Sequence, residues 1–207
     1  QLARHGQLFI NDAFGTAHRS HASNVGVLPY FKNAGIGWLM DKELNYLDRF
    51  MSRPKTPLTL ILGGAKIDTK LKLIDQFLDK ADNIIIGGGM AFTFLKAKGK
   101  KVGGSLVDGS MISIAKDIMN KARVKGAKII LPSDALCALS LKDNIQEGPC
   151  SIDDIPDNMM GLDIGPDSMR RFNTILGNSK TILWNGPMGV FESKGFESGT
   201  REMAIHL

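Results

Sequence analysis

The sequence is poor in cysteine and contains no long hydrophobic run. Cys137 and Cys150 are too few for a disulfide scaffold or a cysteine-based zinc site, so we expect two reduced structural thiols. No run reaches the roughly 18 apolar residues that cross a membrane, and no secretory signal peptide is visible. These absences exclude an extracellular mini-domain and favour a globular protein of the cytoplasm that binds no membrane.

Charge is not extreme either. The 207 residues carry a net charge of +5, with 43% hydrophobic and 23% charged residues, which is typical of a soluble globular protein. A positive balance favours anionic ligands in general, but it does not choose between phosphates, nucleic acid and a solvated basic surface. The length suffices for one core, or for one domain with part of another.

Two familiar phosphate-binding motifs are absent. Neither G-x-G-x-x-G nor G-x-x-x-x-G-K-[ST] occurs, which disfavours the common dinucleotide and P-loop sites. Instead, three short apolar runs end in glycine: LTLILGGAK (58–66), NIIIGGGMAFTF (83–94) and TILWNGPMGVF (181–191). Such runs are typical of strands buried on both faces of a parallel sheet. Glycine at a strand end allows backbone N–H groups to approach a ligand, and the carboxyl ends of such strands form one edge, so we predict a shared nucleotide site.

The pattern along the chain predicts an α/β fold. Residues 35–51 are typical of an amphipathic helix, and the prolines of residues 52–57 indicate a domain boundary. From residue 58 strands and helices alternate, which predicts right-handed crossovers and a doubly wound parallel sheet with helices on both faces. The later helices are expected at 69–81, 89–99, 111–126, 167–179 and near the end of the chain. Strands are expected at 128–138, running past Pro132, and at 181–187, with a short strand or turn at 160–166. Residues 141–158 are expected to form a polar segment.

The segment GGAKIDTK (63–70) predicts a phosphate site. We expect Asp68 to be the N-cap of a helix that begins near Thr69, with Lys66 and Lys70 on one side. Lysine in a first helical turn opposes the helix dipole by about 0.3–1 kcal/mol, and a bound polyphosphate would offset that cost. The alternative is a solvated helix start with two surface lysines.

The other two glycine-ended runs have different character. Residues 87–89 have no charged neighbour, which suits an apolar wall for a base, although tight helix–strand packing is an alternative. In WNGPMGVFE (184–192), Asn185 can donate and accept hydrogen bonds, Phe191 can line an apolar slot, and Glu192 can accept bonds from sugar hydroxyls. Taken alone, this segment would be an ordinary turn.

A further candidate site lies in NDAFGTAHRSH (11–21). Arg19 offers a bidentate fork for a carboxylate or phosphate. The flanking His18 and His21 suggest a metal, but no Cys or further His supplies more ligands, so we predict no metal site in this chain.

Taken together, these motifs resemble those of the phosphoglycerate kinase family. NDAFGTAHRSHAS, LMDKELNYL, LILGGAK, IIGGGMAFTFLKA, MGLDIGP and WNGPMGVFE follow the family's order and spacing over essentially the whole chain. The family has two α/β lobes, the first binding 3-phosphoglycerate and the second MgADP or MgATP. The resemblance implies that residues 1–34 end the substrate lobe, 35–55 form an interdomain helix and linker, and 56–207 form a truncated nucleotide lobe.

The resemblance also implies roles for individual residues. Arg19 resembles the family's substrate-binding arginine near the hinge, with a part in catalysis. Lys70 resembles the catalytic lysine that follows the transferring phosphoryl group. The other implied nucleotide contacts are Gly64, Ala65 and Lys66 on the phosphates, Gly88, Gly89, Leu106, Gly161 and Leu162 around adenine, and Asn185, Gly186, Met188, Phe191 and Glu192, the last on the ribose.

The chain departs from the family pattern in two ways. The family has Asp directly before the second lysine, whereas here Asp68 is followed by Thr69. The family's early Asp-x-Asn and His-x-Gly-Arg motifs, its late Gly-Gly-Gly-Asp loop with the magnesium-binding Asp, and its Gly-Gly-Gly-Ala loop are absent from the sequence. Because the chain starts with Gln1 and ends within a helical pattern, we expect a fragment of a longer protein.

The implied activity is reversible phosphoryl transfer between 1,3-bisphosphoglycerate and ADP, a glycolytic reaction, in a monomer that uses Mg²⁺. One alternative is a nucleotide-binding fragment without catalysis. A second, another strand–glycine nucleotide enzyme, is disfavoured because the Arg19 segment and WNGP occur together.

Overall fold

The computed structural model describes residues 1–142 and 148–207, apart from the side chains of Arg49 and Thr69. The chain divides into two compact units, Gln1–Pro54 and Lys55–Leu207. The predicted polar segment at 141–158 lies partly outside the described residues, at 143–147. Within the described ranges, no helix is both long enough and apolar enough to span a bilayer.

Among its described residues, the first unit contains two short parallel strands and one α-helix, besides short 3₁₀ and π turns. Strand β1 (Phe9–Asn11) pairs with β2 (Ala34–Ile36), and helix α1 covers Trp38–Ser52. The helix predicted at 35–51 therefore starts three residues later, because residues 35 and 36 pair with β1. Asp12 fixes this start: its Oδ1 accepts a hydrogen bond from the Met40 N–H at 2.9 Å. The apolar stripe predicted for this helix is largely exposed, with Trp38 at 89%.

The second unit is built on a four-stranded parallel sheet. Its strands are β3 (Leu58–Leu62), β4 (Asn83–Ile86), β5 (Lys128–Ile130) and β9 (Thr181–Asn185), in the spatial order β5-β4-β3-β9. The connecting helices are α2 (Leu71–Phe77), α3 (Met90–Ala97) and α4 (Ile112–Lys125). The predicted α/β class with a parallel sheet is therefore confirmed. The chain adds β4 and β5 on one side of β3 and β9 on the other, so the strand order reverses between β3 and β9.

A row of large side chains crosses this sheet. Ile130, Ile85, Ile61 and Trp184 are register partners on successive strands and belong to one core cluster. Phe172 and Leu176 of α5 (Pro166–Gly177) and Met203 of α6 (Ser198–His206) pack in the same cluster. The pleat directs the alternate β3 residues to the opposite face, where they are also buried, so both faces of the sheet are covered.

A second, antiparallel sheet was not predicted. It consists of β6 (Asp134–Ala138) between β7 (Pro149–Ser151) and β8 (Met160–Ile164). The expected single strand at 128–138 is wrong: β5 ends at Ile130 and β6 begins at Asp134 in the other sheet. Pro132 lies at this break, and proline cannot donate a ladder hydrogen bond.

Cys137 and Cys150 are both free thiols, as expected, and burial together with the neighbouring Cys150 raises the pKa of Cys137 to about 12.

The three glycine-ended strands finish at one level. Leu62 of β3 is the register partner of both Ile86 and Asn185, the last residues of β4 and β9. A Cβ at Gly63 would lie 2.0 Å from the Pro187 carbonyl oxygen, and one at Gly88 would lie 2.5 Å from the Gly64 nitrogen. Glycine is required here because the turns contact each other through their backbones.

We therefore expect Gly63→Ala to lower the free energy of unfolding by about 1–3 kcal/mol, since the methyl group meets backbone that cannot move aside. The matched control is Gly109→Ala, where an added Cβ has no neighbour within 4 Å and we expect a change below about 0.5 kcal/mol. Urea denaturation of both variants measures the difference. Equal stabilities would contradict this account of the glycine turns.

Candidate functional site

A cavity of about 400 Å³ opens beside the reversal point between β3 and β9. In open α/β sheets this is the position where ligands bind, beyond the carboxyl ends of the strands. The volume lies in the range of small-molecule sites. Its described lining residues are Gly64, Ala65, Gly89, Gly104, Leu106, Leu141, Met160, Gly161, Leu162, Pro187, Gly189, Val190 and Glu192.

The cavity walls are joined by hydrogen bonds between distant segments. The Gly64 N–H donates to Pro187 O at 2.8 Å, and the Met90 N–H donates to Gly64 O at 2.9 Å. On the opposite wall, the Val190 N–H donates to Leu162 O at 2.8 Å, and the Gly161 N–H donates to Ser105 Oγ at 2.9 Å. The glycine-rich turns and β8 are therefore held in place by hydrogen bonds within the protein.

The cavity lining is mostly apolar. Glu192 contributes the one charged side chain among the lining residues that the structure describes. Gly89 leaves room beside Leu106 and Ala65: a Cβ there would lie 3.2 Å from Leu106 Cδ2. Such a slot can hold a flat apolar group between Gly89 and β8, with Glu192 available as an acceptor.

Seven of the predicted nucleotide contacts line this cavity: Gly64, Ala65, Gly89, Leu106, Gly161, Leu162 and Glu192. The sequence reasoning missed Gly104, Leu141, Met160, Pro187, Gly189 and Val190. The glycine pair at 103–104 was a visible signal, but no strand precedes it, so the strand–glycine pattern did not select it.

A lysine from the segment after β3 reaches the end of β9. Lys70 Nζ donates a hydrogen bond to Asn185 Oδ1, so two predicted residues are joined directly. Lys66 is exposed and follows the cavity-lining Ala65. The expected N-cap at Asp68 is wrong: residues Asp68–Lys70 form a 3₁₀ turn, and the side chains at the N-cap positions Ile67 and Lys70 make no capping hydrogen bond.

The remaining predicted nucleotide contacts lie outside the cavity lining. Met188 is buried in the core cluster, and its N–H donates to Thr200 Oγ1 at 2.9 Å. The Gly88 N–H donates to Met188 O at 2.8 Å. Gly186 and the half-exposed Phe191 line a neighbouring shallow cleft. The expectation that glycine N–H groups face a ligand therefore does not hold for Gly64 and Gly88, whose N–H groups donate to carbonyls of the 186–188 turn.

Arg19 belongs to the first unit and is exposed. Its loop is held by a buried residue that the sequence reasoning missed: Asn24 Nδ2 donates to Thr16 O at 2.8 Å, and Asn24 Oδ1 accepts from the His21 N–H at 2.9 Å. In the described part of the chain, no three His, Cys, Asp or Glu side chains come together as a metal site requires.

A buried carboxylate behind the cavity was also missed. Asp163 lies on β8 next to Leu162 and is 3% exposed. Burial raises the pKa of Asp163 to about 6, although hydrogen bonds from Gly199, Ile164 and Ser198 oppose this rise.

Comparison with known proteins places this chain in a family. The phosphoglycerate kinase family model matches residues 1–207, the whole chain. The chain belongs to the phosphoglycerate kinase family. It is 48% identical over its full length to the chloroplastic phosphoglycerate kinase of Volvox carteri, covering 45% of that protein. It is 46% identical to the phosphoglycerate kinase of Gloeothece citriformis, covering 52% of it.

Solved phosphoglycerate kinase structures agree with this assignment. The structure from Coxiella burnetii matches with a TM-score of 0.88 and 38% identity, over 99% of this chain and 53% of that one. The structure from Pyrococcus horikoshii matches with a TM-score of 0.84 and 29% identity, over 99% and 52%. The chain thus spans about half the length of the family members that it matches.

Proposed function

We propose that the cavity is an ADP/ATP site and that the chain supplies the nucleotide side of a phosphoglycerate kinase. The reaction is reversible phosphoryl transfer between 1,3-bisphosphoglycerate and ADP, which yields 3-phosphoglycerate and ATP in glycolysis. The observation that carries the proposal is the mostly apolar cavity at the β3/β9 reversal point, with Lys70, from the turn that follows β3, bonded to Asn185 at the end of β9. Family membership over the whole chain supports the choice of nucleotide and reaction.

In this proposal the cavity divides into a base end and a phosphate end. Adenine lies in the apolar slot formed by Gly89, Leu106 and the 160–162 segment of β8. Glu192 accepts hydrogen bonds from the ribose hydroxyls. The phosphates lie toward Gly64–Lys66, and Gly88, Asn185, Gly186, Met188 and Phe191 support the site from the surrounding turns.

Lys70 is the proposed catalytic cation. Phosphoryl transfer needs in-line positioning and neutralisation of charge on the transferring group, with little covalent chemistry from the protein. Asn185 holds the Lys70 ammonium group in place before a phosphate arrives. When phosphate oxygens enter, the ammonium group can exchange its neutral acceptor for a charged one, and charge-assisted bonds are the stronger kind.

The acceptor side of the reaction is proposed for the first unit. Arg19 can bind the phosphate or carboxylate of 3-phosphoglycerate through its planar fork. Residues 1–34, 35–55 and 56–207 are proposed as the end of the substrate lobe, the interdomain helix with its linker, and part of the nucleotide lobe. Closure of the lobes would exclude water from the transferring group.

Mg²⁺, the compartment and the assembly state belong to the same proposal. Mg²⁺ would neutralise charge on the nucleotide phosphates, and the described residues form no metal cluster of their own. Two free thiols fit a reducing compartment such as the cytoplasm. A monomer that binds small molecules, and neither nucleic acid nor membrane, follows the family resemblance.

A second candidate function is nucleotide binding without catalysis. It is favoured by the length of the chain, which is about half that of its relatives. An assay that couples 1,3-bisphosphoglycerate formation from 3-phosphoglycerate and ATP to NADH oxidation separates the two functions when combined with ADP titration. Turnover supports the kinase, and ADP binding without turnover supports the second candidate. Absence of both would overturn the nucleotide site.

We expect Lys70→Ala to weaken ADP binding by roughly tenfold, because one charge-assisted contact with phosphate is lost. Lys72→Ala, which removes an exposed lysine two residues along the chain, is the matched control and should bind ADP like the parent protein. Isothermal titration calorimetry measures both affinities. Equal affinities for the parent and Lys70→Ala would remove Lys70 from the phosphate site.

Gly89→Ala tests the base slot separately. Its Cβ would stand 3.2 Å from the movable Leu106 Cδ2, so we expect the free energy of unfolding to change by less than about 1 kcal/mol. The methyl group narrows the slot, so ADP affinity should fall by about tenfold, whereas inorganic pyrophosphate, which has no base, should bind unchanged. Comparable losses for both ligands would place the base elsewhere.

A further inference from the structure

Asp163 holds the start of α6 from a distant strand. Its Oδ2 accepts hydrogen bonds from the Gly199 N–H at 2.7 Å and from Ser198 Oγ at 3.2 Å, and its Oδ1 accepts from the Ile164 N–H at 2.8 Å. The first N–H groups of a helix have no partner within the helix, and the helix dipole favours negative charge beside them. The Asp163 carboxylate therefore fixes where α6 begins.

From α6 the contacts continue to the loop at residues 186–192, which we call the β9 loop. Thr200, the residue after Gly199, accepts a hydrogen bond from the Met188 N–H at 2.9 Å. Asp163 also packs directly behind this loop, since a Cβ at Gly189 would lie 2.3 Å from Asp163 Oδ1. Gly189 and Glu192 of the β9 loop line the cavity on its other side.

We propose that Asp163 is a positioning residue for the nucleotide site, which holds the β9 loop in its binding arrangement through α6 and loosens it when the carboxylate gains a proton. This inference rests on the proposed nucleotide site. It adds to that site a pH dependence of nucleotide binding and a positioning residue that lies outside the cavity. Asp163 touches no nucleotide and acts through Gly199, Thr200 and Met188.

The electrostatics support this role. Burial raises the pKa of Asp163 to about 6, and among the described residues Glu197 is the charged group whose field adds to this rise. The ordinary pKa of aspartate is lower, so the folded protein takes up the proton more readily than the unfolded chain. Asp163 thus contributes stability that is present at low pH and is lost as the pH rises through about 6. Above this pH the folded protein keeps the ionised carboxylate at a cost in stability. The ionised carboxylate accepts hydrogen bonds from the helix N–H groups more strongly than the neutral acid does.

Asp134 provides a matched control. It is also buried, and its Oδ1 accepts from the Ser168 N–H at 2.7 Å while its Oδ2 accepts from the Asp167 N–H at 3.0 Å, so it caps the start of α5 in the same way. Neither Asp134 nor its partners line the cavity. Asp134→Asn therefore makes the same chemical change at the same kind of cap without the connection to the β9 loop.

The experiment is ADP titration at pH 5, 6 and 7.5 on the parent protein, Asp163→Asn and Asp134→Asn. We expect Asp163→Asn to bind ADP about five- to tenfold more weakly at pH 7.5. This deficit should vanish toward pH 5, where the parent carboxylate is also neutral. Asp134→Asn should follow the parent protein at each pH. Because the terminal phosphate of ADP titrates in the same range, the comparison is between variants at one pH.

Two further measurements keep the inference testable. Thr200→Val removes the contact with Met188 and leaves Asp163 intact, so it should weaken ADP binding at pH 7.5 and lose this deficit toward pH 5, where protonated Asp163 has already loosened the parent loop. An equal deficit at both pH values would contradict the role of Asp163, and this variant decides the matter if Asp163→Asn does not fold. Amide hydrogen exchange at Gly189 and Gly199 needs no nucleotide. At pH 7.5 these amides should exchange more slowly in the parent protein than in Asp163→Asn, and at pH 5 the two proteins should exchange at similar rates. If neither the parent protein nor any variant binds ADP, the proposed nucleotide site is overturned. The exchange data alone then test whether Asp163 positions the β9 loop. Parent-like binding and exchange in Asp163→Asn would overturn the inference.

Discussion

Direct backbone contact between three glycine turns is the constraint on which the second unit depends. Gly63, Gly88 and Gly186 each stand where a side chain would collide with another turn. Because carbonyl oxygens and N–H groups meet with no side chain between them, the ends of β3, β4 and β9 are fixed relative to one another. The row of large side chains across the sheet lies below this junction, and the cavity lies above it. Core and site therefore share one boundary.

Helix placement follows a second common rule, which is that acids on strands or just after them determine where helices begin. Asp12, Asp134 and Asp163 each accept hydrogen bonds from the first turn of α1, α5 and α6, respectively. Gly37 and Gly165, directly before two of these helices, leave space for the carboxylates. In each case the acid and the helix are far apart in sequence, so the cap becomes a tertiary contact. The helices are thus oriented by charge and hydrogen bonding as well as by apolar packing.

The sequence predicted the parallel sheet and its glycine ends because both are local patterns. Buried strands of Ile and Leu followed by glycine are recognisable within ten residues. The antiparallel sheet was not predictable in this way, since β6 continues an apolar run through Pro132 and β7 is only three residues long. The Asp68 cap failed because the chain first forms a short 3₁₀ turn at Asp68–Lys70, and α2 begins only at Leu71.

The candidate site was predictable to the extent that its residues follow strands. Gly64 and Gly89 lie two and three residues after β3 and β4, whereas Gly104 and Val190 are held at the cavity by hydrogen bonds to the distant Met159 and Leu162. The purpose of the glycines was also only partly accessible from the sequence. Their small size suggested room for a ligand, but at Gly63 and Gly186 the space is taken by neighbouring backbone. A single sequence does not distinguish these two uses.

The two tryptophans lie in different units and in different environments. Trp38 begins α1 and is almost fully exposed, whereas Trp184 packs in the core cluster and its Nε1–H donates to Gly186 O at 2.6 Å. An indole in water emits at longer wavelength than one in an apolar core, so the fluorescence spectrum contains two distinguishable components. Because Trp38 is already in water, its emission changes little on unfolding, so the shift of the Trp184 component reports the melting of the second unit alone, even if the two units unfold in separate steps.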